Sequence, residues 1–146
     1  SPLTDGATAL IVCSEEFASS HGLQPLVRIV SGTATGCKPE LMGMGPVSAT
    51  QKVLENANWE IDSVDLFEIN EAFSSQSLAV ISELGIDIGR VNIDGGAISI
   101  GHPLGASGAR ITGKAASLLN RTGGKRAIAT MCIGGGMGMA MALEKI

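Results

Sequence analysis

Apolar positions change their spacing along the chain, and those changes divide it into elements. Residues 7–14 (ATALIVCS) form a continuous apolar run, as in a strand covered on both faces. Glu15, Glu16, Phe17 and Ala18 then open a short helix that ends near Gly22. Residues 26–35 are rich in β-branched side chains and predict a second strand. Gly43-Met44-Gly45-Pro46 is a loop that sets Pro46 at the first position of a helix, with Val47, Val53, Leu54 and Ala57 on one face. Residues 64–69 give the next strand. Phe73, Ser77, Val80, Ile81 and Leu84 recur at helical spacing, and the absence of charge over residues 72–82 predicts a helix buried all round. A glycine-rich stretch, 95–108, leads into a helix that runs through Leu119 and stops at Thr122-Gly123-Gly124. Residues 125–133 and 137–144 close the chain as two strands.

Strands alternating with helices predict an α/β sandwich. Its sheet is expected to be mixed, mostly parallel and five-stranded, with the last two strands as an antiparallel hairpin. The uncharged run 127–143 does not read as a membrane span, because Gly134, Gly135, Gly136 and Gly138 interrupt it and it falls short of the ~20 apolar residues required.

Composition adds one constraint to this picture. Of 146 residues 45% are hydrophobic and only 16% charged. A domain of this size carries about 36 charges at the usual ~25%, so the shortfall predicts a surface covered by another domain or subunit, such as a homo-oligomer. The net charge of −4, a single Trp and no Tyr leave neither a basic stripe nor a stacking platform for nucleic acid. Cys13, Cys37 and Cys132 are odd in number and lack CxxC spacing, which reads as reduced thiols with no zinc site. The opening Ser-Pro-Leu-Thr-Asp-Gly has no basic segment of a targeting signal. A cytoplasmic setting is therefore expected, with a mitochondrial or peroxisomal matrix left open because the chain reads as the inside of a longer one.

Several residues are candidates for chemistry. Gly108-x-x-x-x-Gly113-Lys114 nearly spells a phosphate loop, but Ala115 replaces the metal-binding hydroxyl and the stretch reads as helix interior. Ser107 sits where a loop becomes a helix and reads as a helix cap. His102 lies in a charge-free loop of small residues stiffened by Pro103. It is either a hydrogen-bonded loop histidine or a site residue. Cys132 ends a strand just before three glycines whose N–H groups can point into a site, and its thiol can exchange protons if a neighbour lowers its pKa from ~8.5. The alternative is an apolar filler. Asn70, in Asn70-Glu71-Ala72-Phe73, closes a strand and would serve as a helix cap if it stood alone. Together these residues lie at or beside the C-terminal ends of strands, where ligands collect in open α/β sheets.

At these positions the sequence resembles the thiolase family, the acetyl-CoA acetyltransferases and 3-ketoacyl-CoA thiolases. The resemblance is carried by Asn-Glu-Ala-Phe at 70–73, Gly-Gly-Ala-x-x-x-Gly-His-Pro-x-Gly-x-Ser-Gly at 95–108 and Cys-x-Gly-Gly-Gly at 132–136. The stretches at 42–46 and 1–6 are also similar to the family. The resemblance implies a layered α/β/α fold, with residues 1–24 as the tail of the family's first half and 25–146 as its C-terminal domain. It implies acyl transfer between acyl-CoA and acetyl-CoA, in either direction, with coenzyme A thioesters as substrates and no metal or other cofactor. Cys132 would be the acid/base. His102 would activate the nucleophile and lend an N–H to the thioester oxygen. Asn70 would hold a water completing that oxyanion site, and the Gly134 N–H would face the oxyanion of the acylated cysteine. Ser1, Met44, Ala72 and Phe73 would line the substrate channel. The family's acyl-accepting cysteine belongs to its first half, and the contexts of Cys13 and Cys37 fit a core residue and a loop thiol instead. An isolated chain is then expected to be inactive. The rival expectation is a non-catalytic fragment or complementing subunit that binds CoA, lipid or a partner chain without turnover. The glycine run 134–138 resembles the acetoacetyl-forming branch more than the long-chain one.

Overall fold

The computed structural model describes residues 3–146. β1 (Val27–Gly36), β2 (Leu66–Ile69), β3 (Arg126–Ile133) and β4 (Met137–Lys145) form one sheet in the order β1-β4-β3-β2. β3 turns back through Gly134-Gly135-Gly136 into β4, with Ile133 opposite Met137 and Arg126 opposite Glu144. β1 adds antiparallel to the far edge of β4, and its register slips once between Ile29 and Ser31. β2 pairs parallel with β3, Leu66 opposite Ala127.

Helices α1 (Glu15–Ser20), α2 (Gly45–Ala57), α3 (Ser74–Leu84), α4 (Ala97–Ile100) and α5 (Leu104–Thr122) surround this sheet. α2 and α3 cover one face through a core that includes Val53, Val80, Phe67, Ile69 and Ile128. α5 covers the other through Ala115, Leu118 and Leu119 packed on Leu66, Ala127 and Leu143. The layered α/β/α arrangement expected from the sequence is therefore present. α2 begins against β4 so closely that a Cβ on Gly138 would lie 2.1 Å from the Gly45 carbonyl. Only glycine at both positions permits that crossing, and it fixes the height of α2 on the sheet.

Five expectations are corrected. Among the described residues the sheet has four strands, not five, and only one of its three strand pairs is parallel. The missing strand is residues 7–14, which run without strand pairing, with Leu10, Ile11 and Val12 exposed. Apolarity reports a demand for cover, not the presence of an edge to pair with. The parallel majority fails because β1 joins the returning β4 and not β2. α3 is not buried all round: Gln76, Ser77, Val80 and Leu84 are inside, but Leu78 and Phe73 are exposed. Lack of charge there marks one packed face and one uncovered apolar face. Ser107 is not a cap either, since it is a fully buried residue within α5.

Other expectations hold. The short helix expected after residue 14 forms as α1, and the Ser14 side chain, which the sequence reading did not single out as a cap, accepts from the Phe17 N–H. Pro46 stands in the first turn of α2, and α5 ends on Gly123 in the left-handed region. The region 108–114 is helix interior, where Lys114 pairs with Asp94 at 2.5 Å and no phosphate loop forms.

Candidate active site

β2 ends at Ile69, so Asn70 is the first residue past its C-terminal end, still tied to β3 by its N–H to the Thr130 carbonyl (2.9 Å). Strand alternation turns Leu66, Glu68 and Asn70 toward α5, and Phe67 and Ile69 toward α2 and α3. Asn70 is buried. Its Nδ2 donates to His102 Nε2 at 3.2 Å. On the other side of the imidazole, Nδ1 lies 2.6 Å from Ser107 Oγ. The Ser107 hydroxyl donates to the Pro103 carbonyl (3.0 Å), so its oxygen accepts from Nδ1–H. His102 is thereby held as the Nδ1–H tautomer, with the lone pair of Nε2 facing Asn70.

The Arg110 guanidinium donates to the Gly101 carbonyl (2.7 Å) and makes a longer contact to Asn70 Oδ1 (3.5 Å). That contact gives the Asn70 amide its sense, with oxygen toward the cation and nitrogen toward the histidine. Gly101, with φ of 86°, sits so close to Thr4 that a Cβ would come within 2.5 Å of its side chain. A left-handed, side-chain-free residue is thus required immediately before His102. Glu71 holds the preceding loop, accepting from the Ile98 N–H (2.8 Å) and from Asn92 Nδ2 (2.9 Å).

Burial lowers the proton affinity of His102, and the Arg110 charge lowers it further. The imidazole is therefore a neutral base at pH 7. Cys132, buried near the end of β3, is pushed the other way: burial raises its thiol pKa, with a smaller push from nearby Cys37. It is a thiol, not a thiolate, in this surrounding.

Two of the three motifs are thus brought into direct contact. Among the described residues no hydrogen bond joins Cys132 to His102 or Asn70. Gly134 is exposed in the turn that follows Cys132. Phe73 is exposed at the start of α3. Ala72 donates its N–H to the Asn70 carbonyl (3.1 Å). Met44 packs against the α2/α3 core, and Ser1 lies outside the described residues. Cys13 is exposed, contrary to a core position, because the strand expected around it has no partner. Cys37 follows β1 as a loop thiol and donates weakly to the Leu41 carbonyl (3.6 Å). A hollow of about 400 Å³ at the far end of α2 beside Trp59 holds none of these residues.

Sequence reasoning missed Ser107, Arg110 and Glu71 as parts of the site. Ser107 lies five residues after His102, within reach across one helical turn, and that spacing was the available signal. Arg110 is one turn further on.

With this geometry in place, comparison with known proteins gives the class. Residues 23–145 match the family described as "Thiolase, C-terminal domain". The chain is 51% identical over 146 residues to the acetyl-CoA acetyltransferase of Shinella zoogloeoides, covering all of this chain and 37% of that protein. It is 51% identical over 148 residues to the 3-oxoadipyl-CoA/3-oxo-5,6-dehydrosuberyl-CoA thiolase of Escherichia coli K12, again covering 37% of it. Among solved structures, the Bacillus anthracis acetyl-CoA acetyltransferase superposes with a TM-score of 0.89 at 47% identity, over 91% of this chain and 34% of that one. Human mitochondrial 3-ketoacyl-CoA thiolase superposes with a TM-score of 0.89 at 46% identity, over 91% and 34%. The chain belongs to the thiolase family. It spans a little over a third of the length of the curated relatives it matches. No helix among the described residues is long and apolar enough to cross a membrane.

Proposed function

We propose that these residues form the C-terminal part of a thiolase that transfers an acyl group between acyl-CoA and acetyl-CoA, forming or cleaving a 3-ketoacyl-CoA. The observation that carries this reading is the Asn70–His102–Ser107 arrangement, with the His102 Nε2 lone pair fixed by a 2.6 Å contact on the opposite nitrogen. A neutral, oriented imidazole can take the proton of an incoming cysteine nucleophile. Once protonated, the same Nε2–H becomes a donor to the thioester oxygen. Asn70 helps hold a water that completes the oxyanion site.

Cys132 supplies the second proton-transfer group. As a thiol it can protonate a departing CoA thiolate or an enolate carbon. As a base it needs the enolate oxygen met by donors, because a thioester α-proton is only weakly acidic. The N–H of Gly134 faces the oxyanion of the acylated cysteine, and Ser1, Met44, Ala72 and Phe73 contribute to the channel for the CoA arm. The acyl-accepting cysteine comes from the family's first half, to which residues 1–24 belong as a tail, and 25–146 form the C-terminal domain. Acyl-CoA and acetyl-CoA are the small-molecule partners, and no further cofactor takes part. The exposed Leu10, Ile11 and Val12 fit a surface covered by that first half and by a further copy of the protein. The setting is cytoplasmic or a comparable matrix.

The test uses the chain joined to a thiolase first half. Cys132→Ala stops carbon–carbon bond formation and leaves acyl loading of the nucleophile detectable by mass spectrometry. His102→Ala impairs both. Equal loss of loading in the two variants would overturn this division of roles.

A further inference from the structure

β2 is buried along its whole length, yet it carries a carboxylic acid in the middle of Leu66-Phe67-Glu68-Ile69. Glu68 is 3% exposed, and its Oε1 is fully buried with no protein hydrogen-bond partner. An unpaired buried carboxyl costs stability, so its presence calls for a use. It sits on the same face of β2 as Asn70, two residues earlier. It opens into a cavity of about 140 Å³ whose wall includes Asn92, Asp94, Ser99, Arg110 and Lys114.

The charged groups facing Glu68 are Lys114 and Arg110 from α5, Asp94 from the loop between α3 and α4, and Glu71 just past the strand. Three of the four are engaged elsewhere. Lys114 pairs with Asp94, which also binds Arg121 at 2.6 Å, and Glu71 holds Ile98 and Asn92. Arg110 has no carboxylate within ion-pair distance among the described residues. It reaches from the cavity wall to Gly101 and Asn70.

We propose that Glu68 is a positioning residue of the Asn70–His102 site: acting across the cavity on Arg110, its carboxyl sets how strongly the guanidinium bears on the Asn70 amide and on the imidazole behind it. Burial pushes the Glu68 pKa from 4.5 up to about 7, against the opposing pull of Lys114. Below that pH the carboxyl is neutral, and the full Arg110 charge holds the proton affinity of His102 down. Above it the carboxylate offsets Arg110, and His102 becomes the stronger base. The value of this to catalysis rests on the acyl-transfer reading; the coupling itself does not.

The chain has two histidines, His102 and the exposed His21, which makes nuclear magnetic resonance of the 146-residue chain the direct test. In the wild type the His102 ring nitrogens should titrate in two steps, one of their own and a second near neutrality as Glu68 ionises. Glu68→Gln, nearly isosteric, loses the second His102 step. Arg110→Gln loses that step too, while an infrared band of a protonated buried carboxyl remains. A single-step His102 curve in the wild type overturns the proposal even if no variant folds. So does a second step that survives in Glu68→Gln. Neither readout requires turnover, so failure of the acyl-transfer reading is seen separately.

Discussion

Phe67 and Ile69 leave β2 toward α2 and α3; Leu66, Glu68 and Asn70 leave it toward α5. Among the described residues the first side holds a continuous core of fourteen buried apolar residues, the second a cluster of six. On the α5 side the apolar contacts gather at the end of the helix near Leu118 and Leu119. The end near His102 is given over to Glu68, Asn70, Ser107 and Arg110. One strand thus supplies the larger core through Phe67 and Ile69, and the polar groups near His102 through Glu68 and Asn70. A polar group on the α5 side is bonded, or left waiting, by the needs of the site, and the α2/α3 side carries the burden of holding the fold.

The comparison is sharpest under truncation of Phe67, which is completely buried in the larger core. Phe67→Ala should destabilise by about 3–5 kcal/mol, read from urea unfolding, with the ring-nitrogen shifts of His102 preserved in the folded fraction. A loss below about 1 kcal/mol would mean that the larger core does not bear the fold.

Next in size is the pH dependence that Glu68 confers. Its folded pKa of about 7 lies above the ordinary 4.5, so between those values the folded state holds more protons than the unfolded state, and stability falls as pH rises. Glu68→Gln removes this penalty. It should be neutral below about pH 4.5 and stabilising by roughly 3 kcal/mol above pH 7, measured as unfolding curves at a series of pH values. An equal gain at every pH would show that the acid is ionised throughout.

Smallest in energy is Ser107→Ala. It removes the acceptor of the Nδ1–H bond and should cost about 1 kcal/mol. Its clearer effect is spectroscopic: the His102 ring should shift from a single tautomer to a mixture, visible in its nitrogen shifts. A ring that stays in one tautomer would leave Asn70 as the sole orienting group and move the site's control to β2.

Much of this was legible in advance. The β3–β4 hairpin, α2 behind Gly45-Pro46 and the long α5 all carried a clear period and a turn or cap, and they formed as expected. Residues 7–14 misled because a two-sided apolar strand can be recognised locally, but its neighbours cannot. Asn70 and His102 were visible from their places beside strand ends. Ser107 was not, because a serine at a loop-to-helix junction reads the same whether it caps a backbone N–H or receives a proton from an imidazole. Glu68 was passed over, although a single acid inside Leu66-Phe67-x-Ile69 was itself the anomaly.

The bonds from Arg110 to Asn70, to His102, to Ser107 and on to the Pro103 carbonyl all run in one direction. At their head is a guanidinium, which does not give up its proton at any pH at which proteins survive. Reversing the chain would require the Asn70 amide to turn its NH2 group toward that cation and His102 to move its hydrogen to Nε2. The site therefore behaves like a compass needle beside a fixed magnet: a proton picked up at Nε2 can disturb it, and its departure restores the same orientation.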